Sequence, residues 1–129
     1  MKISSEPKDI ELHILGETSQ KLYTGKMTVK PLLTFREKSL VDSYRRNFMG
    51  NPADEGSVNE LVQNLAVMLS QIRYRVIKKE TWMETLEDCV DENLIIEIFE
   101  KTMGVEKSYR DELAKLAEVA KAEMTVAKT

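Results

Sequence analysis

The sequence predicts an α+β fold: an N-terminal β-hairpin followed by a mostly α-helical bundle of four to five helices. Three observations carry that prediction. Two runs of alternating polar and apolar residues open the chain on either side of a short polar turn, the pattern of a hairpin. Two capping boxes then precede stretches of apolar residues at helical spacing. Only 5 Gly and 3 Pro occur in 129 residues, so little interrupts a long helix.

In the first run Ile10, Leu12 and Ile14 alternate with Glu11 and His13. Gly16 to Gln20 is the turn. From Lys21 to Lys30 the alternation returns, with Tyr23, Gly25, Met27 and Val29 on one face. Pro31 ends this strand because it has no N–H for the ladder. A lone hairpin is marginal in water, so the apolar face of residues 10–30 must lie on helices or on another chain.

The helical part spans 34–124. Thr34-Phe35-Arg36-Glu37 is the first capping box, and Leu40, Val41, Tyr44 and Phe48 form the expected buried face of its helix. Gly50 is a stop, and residues 51–56 read as a loop. Ser57-Val58-Asn59-Glu60 is the second box, followed by Leu61, Leu65, Met68, Leu69 and Ile72. The end of this helix is ambiguous. Residues 72–77 also alternate, but no breaker precedes Lys78, so helix is expected. A short helical turn over Thr81–Leu86 carries Trp82 and Met83. Asp91 is placed to cap a helix with Leu94, Ile95, Ile98, Phe99 and Met103 inward and Gly104 as its stop. A last helix is expected from Val105 to about Met124. Its Tyr109, Leu113, Leu116 and Ala120 follow a 4-3-4 spacing, the seam of a short coiled coil or a helical hairpin. Packing back on residues 91–103 is the favoured arrangement. The whole, 1–129, reads as one domain of ordinary size, with tails at 1–7 and 125–129.

Composition limits the function. Net charge is -3, which suits a soluble protein and argues against whole-domain binding to nucleic acid or an anionic membrane. Cys89 is the only cysteine, so no intrachain disulfide can form and a reducing compartment is the natural setting. No apolar run reaches bilayer-spanning length, and the first residues lack the apolar core of a secretory signal. Cytoplasm is the expected location. Charge is uneven along the chain. Residues 1–50 carry 9 bases and 6 acids, and residues 51–129 carry 10 bases and 16 acids. Arg73, Arg75, Lys78 and Lys79 cluster just before the acidic stretch from Glu84 to Glu100. Adjacent patches of opposite sign either orient a partner or neutralise each other within the fold.

Candidate chemistry is sparse. His13 sits on a strand beside Glu11 and reads as a surface histidine. Cys89 lies among Glu87, Asp88 and Asp91, a setting that raises a thiol's pKa and quenches its nucleophilicity. The acids from Glu84 to Glu92 lack the glycine of a calcium loop, and Asp91 and Glu92 suit a helix N-terminus. No catalytic, metal or cofactor site is expected. Tyr44-Arg45-Arg46-Asn47 and Arg73-Tyr74-Arg75 mix bases with aromatics as nucleic-acid contacts do, but the overall charge opposes that use. The candidate partner-binding residues are Arg45, Arg46, Arg73, Arg75, Trp82, Leu113 and Leu116. Trp82 stands between the two charge clusters, where interface and plain packing are both open readings.

Three stretches carry a resemblance to a known family. One runs from the hairpin through Gly25-Lys26-Met27-Thr28-Val29-Lys30 to Leu33-Thr34-Phe35-Arg36-Glu37. Another is Tyr44-Arg45-Arg46-Asn47-Phe48-Met49-Gly50-Asn51-Pro52 with the helix that follows to Ile77. The third joins Thr81-Trp82-Met83-Glu84 to Asp91-Glu92-Asn93-Leu94-Ile95-Ile96-Glu97-Ile98. Together they span most of residues 10–103, and the layout resembles small morphogenesis proteins of tailed bacteriophages, especially tail assembly chaperones. The resemblance implies a non-catalytic protein that binds the tape measure or tail tube protein in the host cytoplasm, in a family that often has a longer frameshifted form. A minor virion protein of capsid or tail is the alternative. A small regulator touching nucleic acid through the basic patch is another, and a homo-oligomer is compatible with each.

Overall fold

The computed structural model describes residues 6–49 and 59–127. The order is β1 (Lys8–Leu15), β2 (Leu22–Val29), α1 (Phe35–Phe48), α2 (Glu60–Arg75), β3 (Val76–Lys78), a 3₁₀ helix (Thr81–Asp88) and α3 (Glu92–Ala127). The fold is α+β, an N-terminal antiparallel hairpin with a short third strand and helices packed on one face.

The hairpin register runs from Lys8 opposite Val29 to Leu15 opposite Leu22. This register sends Leu12, Ile14, Met27 and Val29 inward, all nearly inaccessible, and leaves Glu11, His13 and Lys26 outside. A one-residue slip would exchange the two faces, so burial fixes the pairing. At the turn Gly16 N–H donates to the Lys21 carbonyl, and Gln20 N–H donates back to Gly16. Gln20 takes the left-handed conformation at φ 63 that closes the loop.

Thr34 and Glu37 form the expected reciprocal cap at the start of α1. Val41 is buried and Tyr44 and Phe48 are half-buried, but Leu40 is exposed. α1 packs on α2, and Leu40 stays on its exposed side. The expected stop at Gly50, the 51–56 loop, Ser57 and Val58 lie outside the described residues. α2 begins at Glu60, with the Asn59 side chain accepting from Leu61 N–H at 2.7 Å.

Two expected boundaries are corrected. Helix was expected through Ile77, but α2 ends at Arg75 and Val76 is extended at φ -89, ψ 113. The β-branched pair Val76-Ile77 joins the free edge of β2, where Val76 faces Val29 and Lys78 faces Thr28. Gly104 was expected to stop a helix, but α3 is continuous for 36 residues, so no helical hairpin forms at the C-terminus. No turn chemistry follows Gly104, and a helical glycine costs only about 1 kcal/mol relative to alanine. Glu106, two residues on, is held by Arg75 from α2 and by Arg110 one turn later.

The core joins the inner face of the sheet to Leu69 and Ile72 of α2, Met83 and Leu86 of the 3₁₀ helix, and Leu94, Ile95 and Ile98 of α3. Each such side chain contributes about 1.5–3 kcal/mol when fully withdrawn from water. The first half of α3 is therefore anchored. From Asp111 to Glu123 every described side chain is exposed except half-buried Leu116.

Candidate partner-binding surface

The basic cluster of the sequence is divided in space. Arg45 and Arg46, in the last turn of α1, both pair with Asp42, at 3.2 and 3.1 Å. Arg73 lies on α2 with its guanidinium 5.1 Å from the centre of the Tyr44 ring. The Tyr44 hydroxyl donates to Glu87 of the 3₁₀ helix, and its ring meets Tyr74 edge-on. Burial first, and then the Glu87 contact, push the Tyr44 phenol above its ordinary range. Arg73, Lys79, Glu84 and Glu87 line one small hollow, so basic and acidic clusters meet there within the fold.

Arg75 turns the other way. Its side chain is 5% exposed, and it donates to Gln71 at 2.7 Å and to Glu106 at 3.1 Å. This buried pair ties the end of α2 to the middle of α3. Trp82 is half-buried: its ring centre lies 5.0 Å from that of Tyr23, and its indole N–H donates to the Thr24 carbonyl at 3.0 Å. It joins the 3₁₀ helix to the hairpin.

Asp91 also does something the sequence reading missed. It precedes α3, and its backbone carbonyl accepts from Leu94. Its carboxylate, expected to cap the helix, instead turns into the hairpin turn. One oxygen accepts from Thr18 N–H and Ser19 N–H at 2.9 and 2.8 Å, and the other from the Ser19 and Tyr23 hydroxyls at 2.6 and 3.2 Å. Asn93 adds two bonds, accepting from Glu17 N–H and donating to the Leu15 carbonyl. The Ser19 hydroxyl and amide hold the Asp91 carboxyl below its ordinary value. The site is an anion cradle whose anion is the protein's own side chain. Gly16 belongs to it, because a Cβ there would overlap the carboxylate.

His13 is exposed on the outer face of β1. Cys89 is half-buried, with burial and then the Asp91 charge pushing its thiol up. Among the described residues no group of three or more His, Cys, Asp or Glu is arranged to hold a metal ion, and no helix is long and apolar enough to cross a membrane.

The surface left over is on α3. Leu94, Ile98 and Thr102 are fully buried on one face. Val105, Tyr109 and Leu113 continue that face, and Leu116 and Ala120 extend it. The spacing is 4-4-3, repeated: an eleven-residue period, which a nearly straight helix keeps on one side. The body covers this stripe only as far as about Tyr109; Leu113 is 39% exposed and Val119 beside it 54%. Where the stripe leaves the body, Val105 and Tyr109 form one wall of a groove of about 460 Å³, with Lys8, Ile10 and Pro31 opposite. The sequence contained this signal, but a break assumed at Gly104 separated the stripe's two halves.

Comparison with family models, curated proteins and solved structures finds no match to this chain.

Proposed function

We propose that this chain is a non-catalytic interaction protein of tailed-phage morphogenesis, acting as a tail assembly chaperone. One observation carries the interaction reading: the apolar stripe that anchors α3 in the core runs on for about three turns beyond it, with Leu113 and Ala120 exposed and Leu116 half-buried. A helix segment without tertiary contacts is marginal in water, and its apolar face gains by meeting another helix. Arg75, Asp91, Glu106 and Glu87 all make structural contacts, which supports a scaffolding rather than a catalytic use of the body. The partner class, a tape measure or tail tube protein, rests on the resemblance of the three stretches above.

Co-expression with each of those two proteins is the test. The expected result is a soluble complex that copurifies and is lost with Leu113→Asp; no complex with either protein would overturn the assignment. Mass spectrometry of purified particles separates the alternative. A chaperone is absent from the mature particle, whereas a minor virion protein is present.

A further inference from the structure

We infer that the free edge of β1 takes an added strand: an extended segment of a partner protein pairs with Asp9–His13 and places one large apolar side chain in the groove beside Ile10. This surface is separate from the α3 stripe, so the inference goes beyond the proposed function and stands without it. It starts from where the backbone of β1 sends its hydrogen bonds. The sheet order is β1-β2-β3, so β1 has a strand on one side only. In an antiparallel ladder, alternate residues of a strand turn both N–H and C=O to the same neighbour. Gly16 N–H donates to the Lys21 carbonyl, one step beyond the Leu15–Leu22 pair, which assigns the even residues of β1 to β2. β2 agrees: Thr24 C=O, Lys26 N–H and Lys30 N–H bond to Trp82, Glu80 and Arg75, away from β1. The odd residues of β1 therefore face outward. At Leu15 the outward carbonyl accepts from Asn93. At Asp9, Glu11 and His13, all exposed, no described residue takes that place. Free N–H and C=O groups at strand spacing are matched by the backbone of another strand.

The groove lies along the same edge. Asn93, Lys101, Gly104 and Ser108 fall on one side of α3 at helical spacing. Asn93 fixes that side as the one turned to the outward carbonyl of β1. Lys101, Gly104 and Ser108 then line the groove of about 460 Å³ opposite Lys8 and Ile10. The even side chains of β1 point to this face, so a strand paired with β1 points its alternate side chains into the groove. Gly104 keeps the space open, since nothing lies within 4 Å of the position its Cβ would take.

Shape and charge name the occupant. Ile10, Val105 and Tyr109 line the apolar part, which fits a large apolar residue opposite Ile10. Lys8 and Lys101 outnumber Glu112 around the groove, so an acid belongs opposite Lys8. Antiparallel pairing continues the sense of the other strands and is the stabler of the two. The β1 strand of a second copy fits worse. Asn93 brings α3 to this edge, so pairing two β1 strands drives one α3 against the other.

The test is binding of a fluorescent peptide to the full chain. In the peptide Ala, Phe and Asp, in that order, alternate with Thr, so antiparallel pairing sets Phe opposite Ile10 and Asp opposite Lys8. Saturable binding is expected, with amide exchange slowed at Asp9, Glu11 and His13. Glu11→Pro removes an outward N–H, which an edge strand tolerates, and Gly104→Leu fills the groove. Each should weaken binding by about tenfold or more in a chain still folded by circular dichroism, whereas Leu113→Asp should bind as wild type does. The same peptide methylated on its pairing amides should not bind, which tests the edge without altering the protein. No saturable binding, or binding that survives both Glu11→Pro and the methylated peptide, would overturn the added strand. Sedimentation of the chain alone is the remaining check: self-association that Glu11→Pro abolishes would make the occupant a second copy and would also overturn the proposal.

Discussion

The Asp91 carboxylate accepts from both the amide and the hydroxyl of Ser19, at 2.8 and 2.6 Å, so one residue before α3 holds the turn of the hairpin from two directions. Its pH consequence has a definite sign. A carboxyl whose folded pKa lies below its unfolded value contributes stability above the unfolded value, and that contribution is lost as pH falls through the folded one. Asp91→Asn should therefore lower the melting midpoint most near neutral pH. The gap from wild type should narrow once pH drops below the ordinary aspartate value of 3.8. Melting curves of both proteins across that range check it, and a gap that does not depend on pH would show that Asp91 acts by shape alone.

Gly16 tests the same latch from the other side. Alanine there would place its Cβ on the Asp91 carboxyl group. The turn or the start of α3 must then shift, at a cost of about 1–3 kcal/mol typical of overpacking. Gly16→Ala should lower the denaturant midpoint, and its cost should be smaller in a chain that already carries Asp91→Ala, so that the two losses do not add. Additive losses would mean that the turn itself rejects a side chain.

The Arg75–Glu106 pair is a polar tie between α2 and α3, with side chains only 5% and 18% exposed. Removing one partner leaves a buried charge uncompensated. Glu106→Gln should cost about 3 kcal/mol, while Arg75→Met with Glu106→Leu should fall within about 1 kcal/mol of wild type. Arg110, 58% exposed, also reaches Glu106, but Arg110→Ala should cost less than about 0.5 kcal/mol because solvent screens that pair. Chemical denaturation of the three variants ranks them.

These contacts also mark the limit of what the sequence could say. The hairpin was legible because Leu12, Ile14, Met27 and Val29 keep a strict two-residue period, and the cap at Thr34 because its partner is three residues away. The Asp91 latch was not, since its partners lie 72 and 73 residues distant and nothing local distinguishes a latch from a helix cap. Residues 72–77 fit both periods. Their choice depended on β2 having a free edge, a tertiary fact. For the surface, Leu113 and Leu116 were legible as a seam, and the structure leaves Leu113 exposed and Leu116 half-buried. Arg75, chosen with them for its charge, lies inside because Glu106 is there to meet it.

Gly104 offers the sharpest comparison between the sequence reading and the fold. A glycine that stops a helix takes a left-handed conformation, and alanine there is strained. In the continuous α3, Gly104 is an interior helical residue, and nothing lies within 4 Å of the position a Cβ would take. Alanine then meets no clash and gains helix propensity of about 0.8–1 kcal/mol. For a chain of this size that corresponds to a rise in melting midpoint of about 3–6 °C. Gly104→Ala should also retain or increase helical circular dichroism. A fall in midpoint would mean that the helix breaks at Gly104 after all, and with it would go the straight eleven-residue stripe that carries Leu113 and Leu116 out from the core.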